Sequence, residues 1–270
     1  MEQLLSAWSE VARRLQGARR ILLLMDYDGT LTPIVERPEL AHLPESTRML
    51  LKALRYQPRF KVGVISGRAL SDLKGRVGIH GIIYAGNHGL EIEGPGVDFV
   101  NPIAEEMKPV LRVIHQVLKR ALGGSRGVLV EDKGLTLSVH YRQVAAEKAE
   151  EVQDSFERIV GSTLAAGQVR ITSGKKVYEV RPAVDWDKGK AIRLLMKKYG
   201  KGGRESGLVP VYLGDDLTDE DGFRVIEKYG GGISVFVGEP DQESSARYFL
   251  RSPEEVSRFL EMLLEYARRG

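Results

Sequence analysis

Ile21-Leu-Leu-Leu-Met-Asp-Tyr-Asp-Gly-Thr-Leu31 decides the reading of this chain. Five apolar residues run straight into two aspartates, a glycine and a threonine. A run apolar on both faces and only about five residues long suits a strand buried in a parallel sheet. Four more runs stop as abruptly: Val62–Ile65 before Ser66, Gly81–Ala85 before Gly86-Asn-His-Gly89, Val209–Leu213 before Gly214-Asp-Asp216, and Ile233–Val237 before Gly238. Helical patterns lie between them, at Ser46–Leu54 and through Ile192, Leu195, Met196 and Tyr199. Ser252-Pro-Glu-Glu255 reads as a capping box with proline at the first helical position, ahead of the stripe Val256, Phe259, Leu260, Leu263 and Leu264. Alternating strands and helices predict an α/β, doubly wound parallel sheet, whose ligand site lies beyond the carboxyl ends of the strands. The polar groups just quoted sit at those ends.

The middle of the chain reads differently. Val110, Val113, Ile114, Val117 and Leu118 form one helical stripe, and Val152, Phe156 and Val160 form another. Each precedes segments that alternate. Leu135, Leu137, Val139 and Tyr141 face one way while Thr136, Ser138, His140 and Arg142 face the other, the pattern of an antiparallel sheet with one solvated face. Val169–Thr172 and Lys176–Val180 form a second pair, joined by the turn signal Ser173-Gly-Lys175. The order α-β-β-α-β-β predicts an α+β module over 99–181, inserted between the two parts, 1–98 and 182–270, of a parallel-sheet domain.

Composition bounds the function. The 270 residues, 42% hydrophobic, make one large domain or two modest ones. The absence of cysteine excludes disulfides, thiolate metal sites, iron–sulfur clusters and a cysteine nucleophile. A net charge of +3 in a chain that is 29% charged is too mild a bias for a nucleic-acid protein. Met1–Arg20 carries Glu2 and Glu10 and lacks the apolar run of a signal peptide. Ile21–Met25 is far short of the ~20 residues that span a bilayer. These features lead us to expect a soluble, cytoplasmic monomer with neither nucleic acid nor membrane as partner.

Chemistry concentrates at the strand ends. Asp26 and Asp28, two residues apart, project to the same side, and two anions so close ask for a cation or a shared proton. A bare Asp-x-Asp is more often a surface turn. What shifts the balance is a second acid cluster, Gly214-Asp-Asp-Leu-Thr-Asp-Glu-Asp221, at another strand end. An EF-hand does not fit it, because position six counted from Asp216 is Asp221 where glycine is needed. Carboxylates from two neighbouring strand ends can share one hard cation, and Mg²⁺ takes only one or two of them, leaving room for water and phosphate. Ser66-Gly67-Arg68 opens a helix, so its hydroxyl and N–H groups point at an anion. Lys188 follows Asp185-Trp-Asp at another helix start, where its charge opposes the macrodipole and a ligand role is favoured. A Walker-type loop is excluded, since Gly174-Lys175 is followed by Lys176.

Asp26-x-Asp-Gly-Thr-Leu, Ser66, Lys188 and Gly214-Asp-Asp, in that order, resemble the four motifs of the haloacid dehalogenase superfamily of Mg²⁺ phosphohydrolases. The stretch between Ser66 and Lys188 has room for a C2-type cap, and the resemblance covers the whole chain. With Gly86-Asn-His-Gly-Leu-Glu91, Glu179-Val-Arg-Pro182 and Asp187-Lys-Gly189, the pattern is similar to trehalose-6-phosphate phosphatases. The resemblance implies that Asp26 is the nucleophile forming an aspartyl-phosphate, and Asp28 the general acid and then base. It implies Mg²⁺ held by the Asp26 and Asp215 side chains and the Asp28 backbone carbonyl, with Asp216 supporting the water shell. Ser66 and Lys188 would hold the phosphoryl oxygens. Glu131, Lys133 and Glu179 would hydrogen-bond the distal sugar, although Glu131-Asp-Lys-Gly134 is also turn chemistry. Gly67, Arg68, Asn87 and His88 belong to the expected pocket, with Arg142 and Lys176 as further cap contacts and hinges near Gly94-Pro-Gly96 and Arg181-Pro182. Another sugar-phosphate phosphatase, acting on sucrose phosphate or mannosyl phosphoglycerate, a phosphomutase, and a non-catalytic sugar-phosphate sensor remain open alternatives.

Overall fold

The computed structural model describes residues 1–174, 176–200 and 207–269. In chain order these form β1 (Glu2–Gln3), α1 (Trp8–Gln16), β2 (Arg20–Met25), α2 (Glu45–Arg55), β3 (Phe60–Ile65), α3 (Leu70–Val77), β4 (Ile83–Gly86), β5 (Glu91–Gly94), β6 (Val97–Val100), α4 (Pro102–Glu106) and α5 (Lys108–Leu122). There follow β7 (Leu129–Asp132), β8 (Leu137–His140), α6 (Ala146–Ala165), β9 (Val169–Gly174), β10 (Val177–Pro182), α7 (Lys188–Tyr199), β11 (Leu208–Gly214), α8 (Glu220–Tyr229), β12 (Ile233–Val237), β13 (Tyr248–Leu250) and α9 (Pro253–Arg269). They group into two compact units, residues 1–99 with 186–270, and residues 100–185.

In the first unit the described strands pair in the order β1-β13-β12-β11-β2-β3-β4-β5-β6. Every pairing from β1 to β4 is parallel, and β5 turns antiparallel to β4. The quoted strand shows why the sheet is covered twice. Ile21, Leu23 and Met25 pack into a core with Leu15 of α1, Leu51 of α2 and Phe259 of α9. Leu22 and Leu24 point into a second core with Ile192 of α7 and Phe223 of α8. All five are fully buried, each apolar side chain contributing ~1.5–3 kcal/mol over its exposed state. Met25 lies opposite both Leu213 and Val64, so β11, β2 and β3 end side by side. Gly94-Pro-Gly96 lies within this unit, joining β5 to β6, ahead of the point where the chain leaves it.

The second unit is a four-stranded sheet in the order β7-β8-β10-β9, antiparallel throughout. One face packs Leu137, Val139 and Val180 against Leu111, Ile114 and Leu118 of α5 and Val152, Phe156 and Val160 of α6. The expected strand over Leu135–Tyr141 is shorter, and one part of its reading is corrected. Thr136 and Ser138, expected on a solvated face, are buried, Ser138 lying in register between the longer side chains of Glu131 and Glu179. Lys175 of the expected Ser173–Lys175 turn lies outside the described residues. No helix among those described is long and apolar enough to cross a membrane.

Candidate active site

Where β2 runs out, its last sheet bond is Asp26 N–H to the Leu213 carbonyl at 2.9 Å. The chain then folds back. The Leu31 and Thr32 N–H groups both donate to the Tyr27 carbonyl at 3.0 Å, and the Gly29 N–H donates to the Thr32 carbonyl at 2.7 Å. Gly29 sits at φ +88°, in the left-handed region. Space makes the same demand, since a Cβ at Gly29 would lie 2.1 Å from an Asp215 carboxylate oxygen. The fully buried Thr30 donates its hydroxyl to Asp215 Oδ1 at 3.2 Å, tying the β2 end to the β11 end.

Lys188 is the first residue of α7, whose N-terminus Asp187 caps by accepting from the Lys190 N–H at 2.7 Å. Its Nζ lies 2.7 Å from Asp26 Oδ1 and 2.7 Å from Asp219 Oδ1. Lys188 is 3% exposed, Asp26 5% and Asp219 fully buried, so these pairs are held away from water. Asp219 belongs to the acid cluster at the end of β11, where its spacing alone assigns it no role. Its Oδ1 also accepts from the Tyr212 hydroxyl, and its Oδ2 accepts from the Asp215 and Asp216 N–H groups at 2.9 and 3.1 Å. Four donors thus occupy the four acceptor sites of one carboxylate. Helical wrapping alone, an aspartate a few residues past a strand end folding back on its own loop, was the signal available in sequence.

Burial dominates the electrostatics. It drives the Asp26 carboxyl well above the carboxylate range; Lys188 opposes, and repulsion from Asp219, Asp215 and Asp216 adds to the rise. Asp215 is pushed up to about 8, first by burial and then by Asp219 and Asp216. Burial would push Lys188 down, but Asp219 and Asp26 outweigh it and hold the ammonium well above its usual range. One cation therefore faces several acids that resist ionising together. Carboxylate oxygens of Asp26, Asp215 and Asp219 lie within 4.8 Å of one another, an all-oxygen set suited to a hard divalent ion. With Asp219 already committed to four donors, Asp26 and Asp215 are left to face an ion, matching the one or two carboxylates Mg²⁺ prefers. Asp216 is exposed and accepts from the Thr218 N–H and hydroxyl at 2.8 and 2.7 Å; it is outside the three-acid group.

At the end of β3, Ser66 is buried and its Oγ accepts from the Arg68 N–H at 3.2 Å. Gly67 is pressed against the His88 ring, a Cβ there falling 2.6 Å from Nε2. Asn87 and His88 take left-handed backbone angles, φ 49° and 58°, and the His88 N–H reaches the Ser66 carbonyl at 2.8 Å. The Asn87 amide donates to Glu91 Oε1 at 2.8 Å, and Glu91 in turn accepts from the Leu70 N–H at the start of α3. The Arg68 guanidinium grips the Asp28 carboxylate, with Nε to Oδ2 at 2.7 Å and Nη2 to Oδ1 at 2.6 Å.

In the second unit, register gathers one polar row. Glu131 lies opposite Ser138, Ser138 opposite Glu179, and Glu179 opposite Thr172. Lys133 Nζ is 3.4 Å from Glu179 Oε1, while the Thr172 hydroxyl and Arg181 Nε reach Glu179 Oε2 at 3.5 and 2.6 Å. His140 Nε2 is 3.0 Å from Glu131 Oε2. Arg181, Thr172 and His140 had no assigned site role, although the alternation already put His140 on the polar side. Arg142 and Lys176 are exposed and follow the β8–β10 end marked by the His140–Val177 pair, with Lys176 three residues from Glu179, ~10 Å along a strand.

Comparison with known proteins points to one family. Residues 24–254 match the family model described as trehalose-phosphatase. A probable trehalose-phosphate phosphatase 4 of Oryza sativa subsp. japonica is 33% identical over 269 residues, covering 98% of this chain and 71% of that protein. The solved C-terminal domain of Candida albicans trehalose-6-phosphate phosphatase superposes with TM-score 0.77 at 25% identity, covering 95% of this chain and 96% of that one. A haloacid dehalogenase-like hydrolase of Bacteroides thetaiotaomicron, at TM-score 0.60, 17% identity and coverage of 90% of this chain and 99% of that one, shares the fold.

Proposed function

The chain belongs to the trehalose-phosphatase family, and on that premise we propose that it hydrolyses trehalose 6-phosphate to trehalose and phosphate through an aspartyl-phosphate on Asp26, as a cytoplasmic monomer. The observation that carries this reading is the buried Asp26 carboxylate, 2.7 Å from the buried Lys188 ammonium at the meeting of three strand ends. A carboxylate so deep, flanked by further acids, suits a nucleophile more than a surface charge.

Asp26 attacks phosphorus in line; the new Asp26–phosphorus bond forms as the bond to the sugar oxygen breaks, and Asp28 gives that oxygen its proton. Asp28 then takes a proton from the attacking water, whose oxygen joins phosphorus as the Asp26 bond breaks. Lys188 and the Ser66 hydroxyl hold the phosphoryl oxygens, which is most of what such a transfer requires. Mg²⁺ would be held by the Asp26 and Asp215 carboxylates and the Asp28 carbonyl, with Asp216 supporting, and would supply charge neutralisation when bound. The polar row of Glu131, Lys133 and Glu179 supplies paired donors and acceptors for sugar hydroxyls.

Phosphate release from trehalose 6-phosphate, sucrose 6-phosphate and mannosyl phosphoglycerate, with and without EDTA, tests the proposal. The expected result is preference for trehalose 6-phosphate, loss in EDTA, and loss in Asp26→Asn. Glu179→Gln is expected to raise KM for the sugar phosphate and to spare 4-nitrophenyl phosphate. Preference for another sugar phosphate moves the substrate assignment, phosphate retained on sugar marks a mutase, and tight binding without release marks a sensor.

A further inference from the structure

The arginine expected to touch substrate has four of its five N–H donors already committed. Arg68 is 7% exposed. Its Nε and Nη2 fork onto the two Asp28 oxygens, Nη2 also donates to the Pro38 carbonyl at 2.8 Å, and Nη1 donates to Asp72 Oδ2 at 2.9 Å. The guanidinium carbon lies 5.3 Å from the centre of the Tyr27 ring. Four N–H directions are committed, and the ring limits access to one face. Asp72, one turn along at the start of α3, is itself held by Arg76 Nε at 2.9 and 2.8 Å to its two oxygens. Arg76 Nη1 continues to the Glu39 and Ala41 carbonyls at 3.2 and 3.1 Å. A chain of charges, Arg76–Asp72–Arg68–Asp28, thus runs from a half-buried brace to a carboxylate whose side chain is 39% exposed.

We infer that Arg68 is a positioning residue for Asp28, fixing the plane and direction of the proton-transferring carboxyl rather than contacting the substrate. Unheld, a short carboxylate at a strand end, two residues from Asp26, is free to rotate about its side-chain torsions and to turn toward any cation beside Asp26. The fork removes both freedoms. It spends one lone pair on each Asp28 oxygen and leaves one on each, so a proton can still be given or taken there. Lysine cannot replace it, because a single ammonium offers no fixed two-point geometry. Asp72 acts at one remove, orienting the fork.

This inference rests on the phosphatase reading, and its test separates the two. The second-order constant kcat/KM reports the first transfer, in which the leaving oxygen of a sugar needs a proton and that of 4-nitrophenol does not. Arg68→Lys is expected to lower kcat/KM for trehalose 6-phosphate by about 100-fold, the lower end of what a placed general acid contributes. The same variant should stay within about threefold of the parent on 4-nitrophenyl phosphate, whose chemistry does not use that acid. Asp72→Asn should show a smaller loss with the same substrate bias, and it carries the test if the arginine variant fails to fold. Equal losses on both substrates would make Arg68 a phosphate contact or a structural brace and overturn the inference, as would no loss on either. Failure of the parent enzyme itself to release phosphate from trehalose 6-phosphate would instead overturn the functional reading.

Discussion

Gly29→Ala is the sharpest perturbation the geometry offers. Two costs add. The first is conformational: an L side chain at φ +88° costs ~1–2 kcal/mol, and for a chain of this size each 1 kcal/mol lowers the melting temperature by about 2–4 °C. The second is local: the new methyl would meet the Asp215 carboxylate at 2.1, 2.3 and 2.6 Å from Oδ2, Cγ and Oδ1. That contact is relieved only if Asp215 swings away, breaking its bond to Thr30. A shift of order 1 Å in a group aligned for the reaction costs about 100-fold. The expected signature is therefore a folded protein, melting a few degrees lower, with turnover down about 100-fold and Mg²⁺ half-saturation moved upward. Gly75→Ala is the matched control. Gly75 lies inside α3 with nothing within 4 Å of an added Cβ, so its substitution should stabilise by up to ~1 kcal/mol and spare turnover. Steady-state kinetics against Mg²⁺ and thermal melts of both variants decide the matter. Parental turnover and Mg²⁺ dependence in Gly29→Ala would refute the argument that glycine is there to make room for Asp215.

Two further outcomes follow from the buried charges. Lys188→Met leaves Asp26 and Asp219 facing each other without their cation, and breaking a buried pair costs ~3–5 kcal/mol; denaturant melts should show that loss together with abolished turnover, and a stability within ~1 kcal/mol of the parent would contradict the ion pairs described. The pH response to Mg²⁺ has a defined sign. Asp215 titrates near 8 in the metal-free fold against an ordinary 3.8, so the folded chain holds a proton that the unfolded chain has released. Without Mg²⁺ this group favours the fold below pH 4, and that contribution is lost as pH rises toward 8. Mg²⁺ must displace the proton, so its affinity should rise up to about tenfold per pH unit across that window and level off above 8. The melting difference between Mg²⁺ and EDTA samples should widen accordingly. A difference that stays flat between pH 6 and 8 would show that Asp215 is already ionised without metal.

Strand ends were legible in sequence because their cause is local. A run such as Ile21–Met25 is apolar at every position only if both faces are covered, and it stops where Asp26 must leave the sheet. The polar groups that stop such runs were therefore readable as a site, and the alternation of Leu137 and Val139 with Ser138 and His140 was readable as a second sheet. Which groups meet was not readable, because it depends on strand order and on side chains crossing long separations. Lys188 reaches Asp26 only because α7 begins beside adjacent β11, β2 and β3. Arg68 is conspicuous by its place in Ser66-Gly-Arg68, but that two of its donors fork onto Asp28, forty positions earlier in the chain, is not readable there. Ser138 alternates as a residue of a solvated face should, but it is buried between the Glu131 and Glu179 positions of the neighbouring strands. Periodicity reports the environment of one segment, whereas the choice of partner for a buried charge is settled by which desolvated groups the packed chain brings within hydrogen-bond reach.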